Sequence, residues 1–338
     1  MKAWLLDGPE ALRLEEFAPT TLSNGMVKVK VEKVLLSTSD YEIYNGTNRR
    51  KYPFVFGRNA MGVVSEVFNK EKSKLRKMDR VVIEPYLPCE SCAECLAGDY
   101  TNCSEMAELG HNCNGLLQNF VDLPYSALHV LPDNLSDEKA LFVSYLAFCL
   151  NIADSLNLEK GRHIAVFATS KAGLLLAQLV AFYQAVPVLV SNNEELLASA
   201  QELGIYYSFN SDQVDVEKEI RTITGGRMCK ELVFFANSDY NFKDVFKAAS
   251  VNANICVAGY SAKESKLSVA QICQKHLNIF GVYNGVGKFS SAINLLVTNT
   301  INIDKLVGKT IKFSKLDQEL AKSTPEDFAI SSKIVVVE

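Results

Sequence analysis

The residues best suited to chemistry lie in one loop, Cys89-Glu90-Ser91-Cys92-Ala93-Glu94-Cys95, closed eight positions later by Cys103. Four thiols at spacings x2, x2 and x7 sit among the turn formers Pro88, Gly98, Asp99 and Asn102. The short spacings let a tight turn bring the sulfurs to one centre, where four thiolates at about 2.3 Å complete a tetrahedral zinc shell. Such a shell has no open position for a substrate, so the expected role of Cys89, Cys92, Cys95 and Cys103 is structural. Disulfides or unrelated free thiols are the competing reading. With no secretory context, clustered cysteines at this spacing favour a metal.

The elements that must position this loop come from a chain of 338 residues, a length that suggests two domains. With 48% hydrophobic and 22% charged residues it can bury a large core, and a net charge of -4 gives no electrostatic case for nucleic acid or an anionic membrane as partner. The apolar run within Met1–Gly8 is too short for a signal peptide, and no stretch approaches the roughly eighteen apolar residues of a membrane span. Five further cysteines, Cys113, Cys149, Cys229, Cys256 and Cys273, are scattered as in a reducing compartment. A cytoplasmic protein is expected.

Residues 1 to 36 read as strands, with Val27, Val29 and Val31 alternating with Lys28, Lys30 and Glu32. Ser37-Thr38-Ser39-Asp40-Tyr41 has the chemistry of a helix N-terminus. Tyr52 to Asn59 is extended up to a glycine turn at Gly57, Gly62 to Val67 is another strand, and Val81-Val82-Ile83 delivers the chain to the cysteine loop. The charge run Lys70 to Lys77 reads as a solvated turn. From about residue 137 the pattern changes. A helix over 137–156 precedes buried runs at Ile164–Ala168, Val186–Val190, Leu232–Phe235, Ile255–Ala258 and Leu277–Val282. Apolar helices between them, Leu174 to Ala185 and Glu194 to Leu203, predict a doubly wound parallel sheet. A helix over Phe289–Thr298 and a strand over Lys333–Val337 close the chain.

These residues resemble the medium-chain, zinc-containing alcohol dehydrogenases, including the sorbitol and threonine dehydrogenase branches. The resemblance is carried by the cysteine loop, Gly57 and Gly62, Asp79-Arg80-Val81, Gly161 and the strand-turn-helix at 164 to 185. It implies an α/β chain in which a GroES-like, β-rich catalytic domain (1–143 and 286–338) holds an inserted Rossmann domain (144–285). It also implies a small-molecule substrate or ligand between the domains, NAD(P) as cofactor, and a homodimer or homotetramer.

The catalytic machinery departs from the family pattern. Members with a catalytic zinc carry Cys-x-x-Asp where this chain has Ser37-Thr38-Ser39-Asp40, Gly-His-Glu where it has Gly57-Arg58-Asn59, and a third ligand near Ser144. Hydroxyls are poor zinc ligands and a guanidinium stays protonated, so the pocket Ser37, Arg58, Ser144 is expected to lack zinc. An Asp40–Arg58 ion pair is expected in its place. Ser39, at the position of a proton-relay hydroxyl, and Tyr145 complete the candidate catalytic set, with Tyr41 as another cleft tyrosine whose expected role is packing. The nucleotide fingerprint Gly-x-Gly-x-x-Gly aligns with Ala168 to Gly173 and keeps only Gly173, leaving Ser170 and Lys171 as phosphate-side residues. The ribose-binding acid is replaced by Ser191. Two functions follow: an NAD(P)-linked oxidoreductase of small alcohols or carbonyls with a structural zinc only, or a non-catalytic relative that acts by binding or regulation.

Overall fold

The computed structural model describes residues 1–48, 50–68, 74–236, 242–261, 264–328 and 332–337. Positions 70–73 of the Lys70 to Lys77 charge run thus lie outside the described residues. The chain forms two compact units: Met1–Ser144 with Phe289–Asn299 and Ile303–Glu338, and Tyr145–Lys288 with Thr300–Asn302. Thr300–Asn302 joins the second unit because Gln178 grips the Asn302 backbone. Its Nε2 donates to the carbonyl at 3.0 Å and its Oε1 accepts from the N–H at 2.8 Å. The sequence carries no sign of this grip.

The first unit is built on the strand Met26–Leu36. Val27, Val29 and Val31 are buried and the intervening lysines more open, as period-two alternation requires, and Val34-Leu35-Leu36 is wholly enclosed. One edge of this strand pairs antiparallel with Asn59–Val67. The other is shared: Phe120–Pro124 pairs with Met26–Lys30, and Lys333–Val336 pairs with Lys33–Leu36. Arg80–Ile83, Leu128–Val130 and Thr310–Lys312 complete a seven-stranded sheet. Gly62 sits opposite Val31, where a Cβ would stand 2.2 Å from the Lys30 carbonyl oxygen, so only glycine allows these backbones to meet.

The C-terminal segment is held to this unit by side chains from the N-terminal third. Trp4 Nε1 donates to the Phe313 carbonyl at 2.9 Å. Tyr41 stacks on Phe328 with ring centroids 5.1 Å apart and donates its hydroxyl to the Ser323 carbonyl at 2.8 Å. Tyr41 is therefore a packing residue, and burial raises its pKa.

The second unit is a six-stranded parallel sheet: β1 (His163–Phe167), β2 (Val186–Ser191), β3 (Tyr207–Asn210), β4 (Cys229–Phe235), β5 (Ala249–Ala258) and β6 (Asn278–Val282). Its spatial order is 3-2-1-4-5-6, the doubly wound arrangement of dinucleotide-binding folds. The helix after β1 spans Lys171–Phe182 and starts three residues before the apolar run that announces it. The helical stretch expected over 137–156 is two helices, Asp137–Ala140 and Val143–Ser155, with Ser136 accepting from the Lys139 N–H at the first N-terminus. No helix among the described residues is long and apolar enough to cross a membrane.

Replacing Gly62 with alanine forces apart two backbones that no side-chain rotation can relieve. The expected loss is about 1–3 kcal/mol of stability, seen as a lower urea midpoint. An unchanged midpoint would show that the two strands can separate at no cost.

Candidate functional site

The cysteine loop is closed at its base by the antiparallel pair Tyr86–Leu87 and Ala107–Glu108. Within it the sulfurs of Cys89, Cys92, Cys95 and Cys103 all lie within 4.8 Å of one another. Cys89 and Cys95 are 4.0 Å apart and Cys92 and Cys103 3.9 Å, close to the roughly 3.8 Å edge of a tetrahedron with metal–sulfur bonds of about 2.3 Å. None is in a disulfide. The Cys92 N–H donates to Cys89 Sγ at 3.3 Å, Cys95 N–H to Cys92 Sγ at 3.5 Å, and Cys89 N–H to Cys103 Sγ at 3.3 Å. The Ser91 hydroxyl, with backbone N–H groups, lowers the Cys89 pKa to about 6. The cluster has the ligand types and spacing of a closed zinc site.

Ser37, Ser39 and Asp40 are brought together by the start of helix Thr38–Tyr44, whose capping box is Ser37 and Asp40. Asp40 Oδ2 accepts from the Ser37 N–H at 2.9 Å and the Ser37 hydroxyl at 2.5 Å, and the Ser37 and Ser39 hydroxyls are 2.9 Å apart. Ser37 and Asp40 are buried. Register places Arg58 beside this turn, because Asn59 faces Leu35 across the ladder.

The ion pair that Arg58 makes is with Glu108, which replaces the expected Asp40–Arg58 pair. Geometry decides this: the Asp40 carboxylate closes its own helix turn, whereas Glu108 is delivered by the strand at the base of the cysteine loop. The Glu108 side chain is 3% exposed and that of Arg58 14%, so each charge depends on the other. His111 Nδ1 lies 2.9 Å from Glu108 Oε2. The Tyr86 hydroxyl is raised in pKa by burial, with Arg58 pulling it down through charge and a hydrogen bond and Glu108 pushing it up. Glu108, Tyr86 and His111 were not singled out from sequence. Their one signal is position, since Tyr86 and Glu108 flank the two ends of a loop that a metal would close.

Ser144 and Tyr145 lie in the first turn of helix Val143–Ser155, Ser144 buried and Tyr145 half-buried, and the division between the two units falls between them. Cys113 packs partly buried against the core of the first unit, as an apolar residue would.

In the second unit, Ala168-Thr169-Ser170 links β1 to helix Lys171–Phe182. A Cβ on Gly173 would stand 2.3 Å from the Ala168 Cβ, so this glycine sets how closely helix and strand approach. Ser170 is the extended N-cap residue and its side chain makes no capping bond. Ser170 and Lys171 are both buried, Lys171 at 1% exposure. Ser191 ends β2 fully buried, its Oγ accepting from the Asn193 N–H at 3.1 Å, and Asn193 in turn caps the next helix. The hydroxyl at the ribose position is thus used to form a turn. What remains is a strand-turn-helix at the point where strand order reverses, with helix N–H groups that favour an anion.

Residues 23–133 match the alcohol dehydrogenase GroES-like domain and residues 172–298 the zinc-binding dehydrogenase domain. The chain is 30% identical over 317 residues to an uncharacterised zinc-type alcohol dehydrogenase-like protein of Haemophilus influenzae, covering 94% of this chain and 93% of that protein. It is 27% identical over 322 residues to the starvation-sensing protein RspB of Escherichia coli, covering 93% and 92%. An alcohol dehydrogenase (rspB) of Escherichia coli CFT073, solved with NADH, superimposes with a TM-score of 0.88 at 24% identity over 99% of each chain. The chain belongs to the zinc-type, medium-chain alcohol dehydrogenase superfamily.

Metal analysis of the purified chain is expected to give about one zinc, and Cys95→Ser with Cys103→Ser to abolish it. Full zinc in that double variant would place the metal elsewhere. At the buried pair, Arg58→Met alone is expected to cost about 3–5 kcal/mol, because buried Glu108 loses its guanidinium and keeps only weaker partners such as His111. Arg58→Met with Glu108→Met should recover most of that loss in urea denaturation. An additive pair of losses would mean that the two side chains do not depend on each other.

Proposed function

We propose that the chain is a zinc-type alcohol dehydrogenase-like oxidoreductase with structural zinc in the cysteine lobe and none at the catalytic position. Its reaction would be NAD(P)-linked interconversion of a small alcohol and its carbonyl. The observation that carries this reading is the parallel sheet in 3-2-1-4-5-6 order with Gly173 packed on Ala168 at its switch point. The proposal includes a GroES-like domain of residues 1–143 and 286–338, a Rossmann domain inserted in sequence at 144–285, and a cytoplasmic homodimer or homotetramer.

The side chains at the family's catalytic-metal positions do not suit zinc. The Ser37 hydroxyl is committed to Asp40, and Arg58 carries a fixed positive charge stabilised by Glu108. A guanidinium can donate hydrogen bonds to a carbonyl oxygen and stabilise the charge that develops there. It cannot acidify an alcohol as zinc does, so the alkoxide-like charge would be met by hydrogen bonds rather than by a metal. Ser39 holds a proton at its hydroxyl next to Ser37, and Ser37 donates to Asp40, which gives a hydroxyl–hydroxyl–carboxylate path for proton movement. Tyr145 is the second candidate acid. At the nucleotide loop, Ser170, Lys171 and the helix N–H groups would face the pyrophosphate, and the bound dinucleotide would supply the hydride. Ser191 offers the ribose no carboxylate, so weak dinucleotide binding is expected.

That last feature also favours a second reading, a non-catalytic relative that binds a ligand or regulates a partner. Calorimetric titration with NADH and NADPH separates the two. Micromolar binding supports the oxidoreductase, and no binding up to about 1 mM, a free energy near -4 kcal/mol, leaves only the second reading. Ser191→Asp is expected to tighten NADH binding by about tenfold or more through a charged hydrogen bond to the ribose. If binding is found, Arg58→Ala should lower carbonyl turnover with little change in NADH affinity.

A further inference from the structure

The amino-terminal edge of the parallel sheet carries a second set of charged groups, at the end opposite the nucleotide loop. Five residues of β1 separate the two, about 16 Å at roughly 3.3 Å per residue. Here the turns around Gly161 and Gly225-Gly226 wall a cleft of about 240 Å³. This is several times the ~30 Å³ share of one water, enough for a small organic molecule. Lys160, Arg162, Arg227 and Lys230 line it together with Glu159 and Glu231.

Two observations indicate what the cleft accepts. The first is charge: four cations face two carboxylates, and Glu159 is already paired with Arg162 at 2.9 Å. Lys160, Arg227 and Lys230 make no ion pair within 4 Å among the described residues, although Lys230 acts on Glu231 through its charge, which leaves an excess of two positive charges over Glu231. The second is Glu231 itself, 3% exposed on the third position of β4. Its Oε1 accepts from Asn254 Nδ2 at 2.8 Å, and Asn254 Oδ1 accepts from Asn278 Nδ2 at 3.2 Å, a ladder across β4, β5 and β6. Its Oε2 is buried with no donor at hydrogen-bond distance and angle, and burial raises the pKa of this carboxyl although Asn254 and the Asn157 backbone N–H help hold its charge. A buried carboxylate oxygen with no partner is costly and calls for a donor. One of the lining cations is also held in place: Arg227 Nε donates to the Thr224 carbonyl at 3.0 Å, which leaves its terminal nitrogens for other partners.

We propose that this cleft binds a small hydroxylated phosphate ester. Its phosphoryl group would meet Arg227, Lys160 and Lys230, and a hydroxyl would donate to Glu231 Oε2. A phosphoryl group carrying close to two negative charges matches the charge excess, which a single carboxylate would not. The hydroxyl supplies the donor that Glu231 lacks, which inorganic phosphate would do less well across the same span. The site lies away from the nucleotide loop and does not depend on whether NAD(P) binds there.

The test is calorimetric titration of the full chain with glycerol 3-phosphate, inorganic phosphate and glycerol, each repeated with saturating NADH. Saturable binding of glycerol 3-phosphate is expected, at least about tenfold tighter than inorganic phosphate, with none for glycerol and no competition from NADH. Arg227→Ala and Lys230→Ala should each weaken it about tenfold or more, while Lys247→Ala, an exposed cation elsewhere, should not. Glu231→Met should erase the preference for the ester over phosphate. If that variant fails to fold, the two exposed-cation variants still decide. No saturable binding up to about 10 mM, binding indifferent to Arg227 and Lys230, or an ester bound no better than phosphate would each overturn the proposal. Displacement by NADH would do so as well, by assigning the signal to the dinucleotide site.

Discussion

The strand Met26–Leu36 has no free edge, and the first unit is arranged around that fact. Its eleven residues are hydrogen-bonded on one side to Asn59–Val67 and on the other, in succession, to Phe120–Pro124 and Lys333–Val336. Buried peptide groups must all be paired, so these three segments are fixed in register by one strand. Both ends of the candidate site follow from it. Ser37 starts the helix where the strand stops, and Asn59 opposite Leu35 brings Arg58 alongside. Gly62 is what allows the ladder to close at its tightest point.

On this frame the proposed function would put one kind of electrostatics in the place of another. A metal ion acts as a positive charge whose ligands come from several segments. Arg58 is also a positive charge, but one that brings its own donors and requires a buried counter-charge, here Glu108. Because Glu108 lies on the strand that closes the cysteine lobe, the lobe and the Arg58 position are tied through a short pair of strands. The order of the lobe thus bears on where the guanidinium points.

Much of this was legible in the sequence wherever the signal is local. The cysteine spacing, the alternating valines, the Ser37 cap, the buried parallel strands and the isolated Gly173 each depend on residues a few positions apart. What escaped was long-range or weakly patterned. Glu108 meets Arg58 across fifty positions, and no spacing rule predicts such a pairing. The edge strand Tyr207–Asn210 is half exposed and lacks the apolar run that marks its neighbours. The segments ahead of Leu232–Phe235 and Ile255–Ala258 read only as helix or loop, and they hold the helices Val216–Ile223 and Phe242–Ala248. Half the residues of the first are charged, and the second is only seven residues long. Asp40 was read as a partner for Arg58 because family alignment supplies positions but not the local hydrogen bonds that occupy a carboxylate.

The closing strand Lys333–Val336 sets an order of events during synthesis. The first unit cannot fill the second edge of Met26–Leu36 until Lys333–Val336 has left the ribosome. The parallel sheet, by contrast, lies within Tyr145–Lys288 and can assemble while the tail is still being made. Until then half of that edge is exposed backbone, open to any passing strand. The early strands of this unit are therefore made some three hundred positions ahead of a partner they need.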